Sequence, residues 1–262
     1  MEDSILSRIR MITKYRDLLR IIVVSNLKEK YMGSVLGYFW SLLEPLLTML
    51  VYLFVFSIVV RFKVENYPVF LLTGILSWNF FQMSTTTAVS SLTRNYNLIR
   101  KVKMPREIFP LADVISRMIE FILSLAVLFI FIIYYKINLT GNLVFFPCIL
   151  ILQFFFIYGI NLFLSNLNVL FRDVQRLQSV FMRFWFYATP VIYPAAKVPE
   201  SIRDIYMLNP MAVVVESYRA VLLGNSFPDF HYIIEAVAIT ALIYFSGIYF
   251  FIKNERVMLK FI

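Results

Sequence analysis

The chain has 262 residues, of which 60% are hydrophobic and only 16% charged, where a soluble domain carries roughly 45–50% apolar and about 25% charged residues. This composition excludes an ordinary soluble domain, so the net charge of +9 reads as membrane topology and contact with anionic headgroups rather than as nucleic-acid binding. One cysteine, Cys148, excludes an intrachain disulfide, and the one histidine, His231, has no sequence-local metal partners.

Residues 1–36 open the chain with Ile5, Ile9, Ile12, Leu19 and Ile22 recurring near helical spacing among Arg8, Arg10, Lys14, Arg16 and Arg20. That pattern predicts an amphipathic helix lying along the headgroups, either as a plain anchor or as an element that binds a partner. The apolar run Ile21 to Val24 is too short and too charged at its flanks for a secretory signal, so the spans themselves are expected to target the chain. Gly33 and Gly37 form a Gly-x-x-x-Gly pair that permits close helix approach, although alone it is a weak signal.

A helix needs about 20 apolar residues to cross the hydrocarbon core. Such runs predict six transmembrane helices, at 37–60, 68–93, 108–135, 143–167, 177–193 and 231–252, in one all-α integral membrane domain over 1–262. The segment 194–229 is broken by Pro199, Pro210 and Pro228 and reads as a pair of short re-entrant helices, because irregular backbone at membrane depth survives only where protein or a water-filled cavity satisfies it. With six spans both termini share a side. The segments 1–36, 94–107, 168–176 and 253–262 hold 17 Lys and Arg and the opposite loops about six, which places both termini and the 94–107 loop in the cytoplasm and 194–229 outside.

The 94–107 loop leads into Asn97-Leu-Ile-Arg-Lys-Val-Lys-Met-Pro-Arg-Glu-Ile-Phe-Pro110. Four cations, Arg100, Lys101, Lys103 and Arg106, alternate there with apolar side chains, and Pro105 and Pro110 fix the backbone. A turn needs none of this; a stiff docking surface does.

Charges within spans are costly and mark structure or function. Asp113, Arg117 and Glu120 follow i, i+4, i+7 and can neutralise one another on one helix face, either as a structural ion cluster or as part of a gate. Glu44 precedes Pro45 and suits a bend or a neighbouring helix, and Arg183 is expected to face protein or an aqueous cavity. Glu216 and Arg219, i and i+3 after the turn Leu208-Asn209-Pro210, read as a salt bridge closing a re-entrant helix or as a lid. Aromatics make up 18% of the chain. Most face lipid in such a protein, but Trp78-Asn79-Phe80-Phe81 and Phe184-Trp185-Phe186-Tyr187 are candidates for a sugar-lined route.

No Gly-x-x-x-x-Gly-Lys-Ser/Thr loop, Gly-x-Ser-x-Gly elbow or His-Glu-x-x-His is present. The chain is therefore expected to have no catalytic site, metal or cofactor of its own.

Six ordered blocks together resemble the ABC-2 type permeases that export O-antigen, capsule or teichoic-acid polymers. They are Lys30 to Trp40, Phe70 to Phe81, Asn97 to Pro110, Leu164 to Val174, Tyr187 to Tyr193, and Leu208-Asn-Pro210 followed by Glu216-Ser-Tyr-Arg219. The resemblance implies a homodimer in the cell inner membrane, joined to two copies of a cytoplasmic ATPase that bind ATP and Mg²⁺, moving a polymer linked to undecaprenyl diphosphate. It identifies residues 94–107 with the coupling helix, carried by Asn97, Arg100, Lys101, Lys103, Met104, Pro105, Arg106 and Glu107. It identifies Asn209, Pro210, Glu216, Tyr218 and Arg219 with the outward gate, and suggests Phe39, Trp40, Trp78, Phe80, Phe81, Trp185, Tyr187 and Tyr193 as channel aromatics. O-antigen is the preferred cargo, with teichoic acid, capsule or a small-molecule efflux permease as alternatives. A secondary transporter would show inverted repeats or helices broken in corresponding halves, and a glycosyltransferase would need larger cytoplasmic loops; neither fits.

Overall fold

The computed structural model describes residues 5–59, 64–102, 104–224 and 226–261. Among them there is no strand. The N-terminal segment forms α1 (Ile5–Lys14) and α2 (Arg16–Tyr31). Helix α2 does more than lie on a surface. Ile22 and Val23 are buried in the core, Asn26 donates to Asp113 Oδ1 at 2.9 Å, and the carbonyl of Val23 accepts from Ser116 Oγ at 3.4 Å. Gly33 and Gly37 have φ of +76° and +48° with open space where a Cβ would stand. They turn the chain between α2 and α3 rather than seat one helix on another.

Helix α3 (Trp40–Leu53) continues into a π-helical stretch at Phe54–Val59. Helix α4 (Tyr67–Val89) is buried along almost its whole length, and it packs against α3 and against α7 (Ile108–Tyr134), α8 (Phe146–Leu170), α9 (Val174–Tyr187) and α11 (Pro210–Leu223). Between α4 and α7 lie two short helices, α5 (Ser91–Arg94) and α6 (Tyr96–Lys101). Pro110 falls in the first turn of α7, where the missing N–H costs nothing. The chain ends with α10 (Glu200–Met207), α11 and α12 (Phe230–Phe261).

The α8–α12 pair is the most extensive helix contact. It is closed by glycine: a Cβ on Gly159 would meet the Tyr244 backbone at 2.8 Å, and one on Gly247 would meet the Gly159 carbonyl oxygen at 2.7 Å. The small-residue seam of this chain is here, not at Gly33 and Gly37.

Four stretches among the described residues are long and apolar enough to cross a membrane: Trp40–Ser57, Ile108–Tyr134, Gly141–Leu170 and Phe230–Glu255. They coincide with four of the six expected spans. Helix α4 occupies the place of the second, but Thr73, Ser77, Asn79, Gln82 and the Ser84–Thr87 run dilute its hydropathy. The expected fifth span does not form as one helix. Helix α9 ends at Tyr187, about 21 Å long by helical rise, because Thr189 precedes Pro190 and is disfavoured in the α region.

Gln153 Nε2 donates to the Ser77 carbonyl at 2.8 Å and Asn161 Nδ2 to the Ser84 carbonyl at 3.4 Å. The two helices therefore run in the same direction, and α8 ends on the side of the bundle that carries α5 and α6. At that end stand Arg94, Arg100, Lys101, Arg106, Arg172 and Arg176; at the other stand residues 188–209.

Candidate functional site: a basic elbow and a buried latch

At the basic end, α5 and α6 form an elbow whose inner face is apolar. Leu92 and Ile99 are buried, and Asn95 Nδ2 donates to the Ser91 carbonyl at 2.8 Å, closing the bend between the helices. Asn97, Arg100 and Lys101 stand exposed on the outer face at i, i+3 and i+4. Arg100 Nη1 donates to Tyr96 OH at 2.5 Å with its guanidinium 5.4 Å from that ring, which presents the cation outward.

The elbow is fastened on both sides. Arg94 Nη2 pairs with Asp113 Oδ1 at 2.9 Å, and Asp113 is nearly buried. Arg106 pairs with Glu255 near the end of α12. Met104, Pro105 and Glu107 are buried, and the Glu107 carbonyl accepts from Tyr158 OH at 3.5 Å. The eight expected coupling residues thus separate by position. Asn97, Arg100 and Lys101 face out, Met104, Pro105, Arg106 and Glu107 tie the elbow to α7, α8 and α12, and Lys103 lies outside the described residues.

The three charges expected to neutralise one another on α7 also separate. Arg117 pairs with Glu120 at 2.8 Å, while Asp113 is bonded to Arg94 and Asn26. Glu44 lines a small cavity of about 40 Å³ beside Arg117 and Glu120.

At the opposite end the irregular stretch 188–193 is held by a latch. Arg219 is fully buried. Its Nη1 donates to the Pro190 carbonyl at 2.6 Å and to Glu216 Oε1 at 2.8 Å, and its Nη2 donates to the Val191 carbonyl at 2.7 Å. The guanidinium lies 3.4 Å from the centre of the Phe70 ring. The charge of the guanidinium is met in the interior by the Glu216 carboxylate. Gly74 makes room for it: a Cβ there would fall 2.5 Å from the Val191 oxygen and 2.8 Å from Arg219 Nη2.

Asn209 completes the latch. Its Oδ1 accepts from Trp185 Nε1 at 3.0 Å and, as the N-cap of α11, from the Met211 amide at 3.1 Å. Its Nδ2 donates to the Ala188 carbonyl at 3.1 Å and to Thr189 Oγ1 at 2.9 Å. Tyr67 OH donates to the Ile192 carbonyl at 2.9 Å. Tyr193 OH donates to the Tyr187 carbonyl at 2.6 Å and lies 3.2 Å from Tyr206 OH. Tyr218 OH reaches Gln153 Oε1 at 3.0 Å, linking α11 to α8.

The suggested channel aromatics fall in three groups. Trp78, Phe80 and Phe81 are interior packing: Phe81 stands edge-on to Trp185 at 4.9 Å and Phe80 stacks on Phe121 at 5.4 Å. Trp185 and Tyr193 are half-buried within the latch. Phe39, Trp40 and Tyr187 are exposed, as is Arg183. Asn26, Arg94, Gln153 and Glu255 carry contacts that sequence reasoning did not single out. Isolation of a polar residue in an apolar run, Ile-Leu-Gln153-Phe-Phe, was a signal for Gln153; the other three sit among polar neighbours and offered none.

Comparison with known proteins agrees over most of the length. A family described as the ABC-2 type transporter matches residues 17–223. The chain is 33% identical over 241 residues to the O-antigen export system permease protein RfbA of Myxococcus xanthus, covering 91% of this chain and 93% of that one. It is 34% identical over 233 residues to a protein of the same description from Klebsiella pneumoniae, 88% and 87% of the two chains. To the polysialic acid transport protein KpsM of Escherichia coli it is 25% identical over 227 residues, 83% of each. The chain belongs to the ABC-2 type transporter family.

Proposed function

We propose that this chain is the permease subunit of an ABC transporter that exports a polysaccharide across the cytoplasmic membrane, with O-antigen linked to undecaprenyl diphosphate as the cargo. The observation that carries the reading is the likeness to O-antigen permeases along nearly the full length of both chains. Two copies of the chain enclose the route, and two copies of a separate ATPase bind ATP and Mg²⁺. The chain crosses six times, as its apolar runs suggest, and the positive charge gathered at one end supports a cytoplasmic side for both termini and the elbow.

The fold suits that assignment. The elbow offers Asn97, Arg100 and Lys101 to a partner and is tied through Arg94–Asp113 and Arg106–Glu255 to α7 and α12. A push on the outer face is thereby delivered to long helices rather than absorbed in a loop. The 188–219 region forms the outward gate, with Arg219 closing it in this state.

Deleting the chain's coding sequence and restoring it on a plasmid tests the function. Surface polymer should disappear and return, lipid-linked polymer should accumulate inside the deleted cells, and the tagged chain should co-purify an ATPase. Normal surface polymer in the deletion strain contradicts the proposal.

A further inference from the structure

Helix α2 does not close fully on α5 and α7. Where the three meet lies a cavity of about 160 Å³ lined by Asn26, Glu29, Arg94, Asp113, Ser116 and Arg117. Every lining side chain is polar, and four of the six are charged. Glu29 and Arg94 are exposed, whereas Asp113 and Ser116 are buried, so the cavity has an open side and a closed one. The hydrogen bonds around it leave both acceptors and donors over. Asp113 accepts Asn26 and Arg94 on the same oxygen, Oδ1, and its Oδ2 is buried with no partner among the described residues. Arg94 gives Asp113 only Nη2, and Arg117 gives Glu120 only Nη1.

Spare acceptors and spare donors in one cavity select the charge of a ligand. A free anion would lie against Asp113 and Glu29, and a bare metal ion against two guanidinium groups; a group that carries both signs satisfies both pairs. Size and place narrow the choice further. A water needs only about 10–15 Å³, so the cavity takes a larger group, and α2 is the helix whose sequence pattern lays it along the headgroups. Guanidinium forks match phosphate oxygens, and a carboxylate lacking a partner needs an N–H or O–H. Among zwitterionic phospholipids ethanolamine offers three N–H donors and choline none. We propose that the α2–α5–α7 cavity binds the headgroup of a phosphatidylethanolamine, with its ammonium on Asp113 and Glu29 and its phosphate on Arg94 and Arg117. The lipid thereby joins α2 to the elbow. The proposal needs only that the basic end of the bundle meets a headgroup layer, and it does not depend on which cargo the chain exports.

The test is native mass spectrometry of the detergent-purified chain, with the proteins that accompany it, titrated with palmitoyl-oleoyl phosphatidylethanolamine, phosphatidylcholine or phosphatidylglycerol. The first phosphatidylethanolamine should bind roughly tenfold or more tightly than either of the others, the worth of charge-assisted hydrogen bonds that choline and glycerol headgroups cannot complete. Asp113→Asn should abolish that preference, and Glu29→Gln should lower it severalfold. Because the readout is a ratio between lipids on one protein, a variant that is merely less stable does not imitate the result. Should Asp113→Asn fail to fold, Glu29→Gln decides alone, since Glu29 is exposed on α2. Equal affinity for the three lipids, a preference for phosphatidylglycerol, or a preference that survives either substitution unchanged overturns the site. Displacement of the lipid by an equal concentration of soluble phosphoethanolamine would make the ligand a free solute and overturn the lipid assignment.

Discussion

The elbow and the latch are both built around arginine, and they use it in opposite ways. At the elbow Arg100 and Lys101 stand in solvent with only Tyr96 beneath Arg100, so their charge is available to another molecule. At the latch Arg219 is wholly enclosed and its donors are aimed at Pro190, Val191 and Glu216 of its own chain. A buried guanidinium is tolerable only with such partners, and irregular backbone inside a membrane protein needs such donors. The latch solves both problems with one residue. The contrast teaches that a basic residue in this chain is read by its exposure: outside its charge is open to another molecule, inside it holds the fold.

That contrast can be broken or sharpened by mutation. The largest effect is expected from Arg219→Met, which strands Glu216 and two carbonyls in an apolar surround and should cost about 3–5 kcal/mol. Loss of folded complex in detergent, by size-exclusion chromatography, checks it. Gly74→Ala places a methyl group against the Val191 oxygen and the Arg219 fork and should cost about 1–3 kcal/mol, seen as a lowered unfolding temperature. Asn209→Ala removes the α11 cap and the tie to Trp185 and should cost about 1–2 kcal/mol. Its effect and that of Arg219→Met should be less than additive, since both hold residues 188–191. Smallest for stability is Arg100→Ala with Lys101→Ala, which should leave unfolding unchanged because neither side chain supports the fold.

Much of this was legible in the sequence, for identifiable reasons. Helices α3, α7, α8 and α12 follow from long apolar runs, whereas the expected fifth span ran on to residue 193 through Thr189-Pro190, the pair that ends α9. The elbow stood out through its cations and prolines. The division of its residues into outward and inward did not, because Glu107 and Arg106 are held by Tyr158 of α8 and Glu255 of α12, elements distant in the chain. Trp78 and Phe81 likewise read the same whether they line a channel or pack against Trp185 and Phe156. Glu216 and Arg219 were visible as a pair through their spacing, but the carbonyls of Pro190 and Val191 lie 29 and 28 residues away. The Asp113–Arg94 pair was hidden for a similar reason: a sharing of one face by Asp113, Arg117 and Glu120 suggested partners on α7, and the nearer cation came from α5.

The central claim is that the elbow's outer face meets the ATPase while its inner face transmits the movement. The most direct measurement is co-purification of the ATPase with the Arg100→Ala, Lys101→Ala chain, alongside the chain's own unfolding temperature and surface polymer in the same strain. The account predicts a normally folded chain that has lost its ATPase and exports no polymer. A folded variant that keeps the ATPase in full amount and exports polymer at the wild-type level would contradict it.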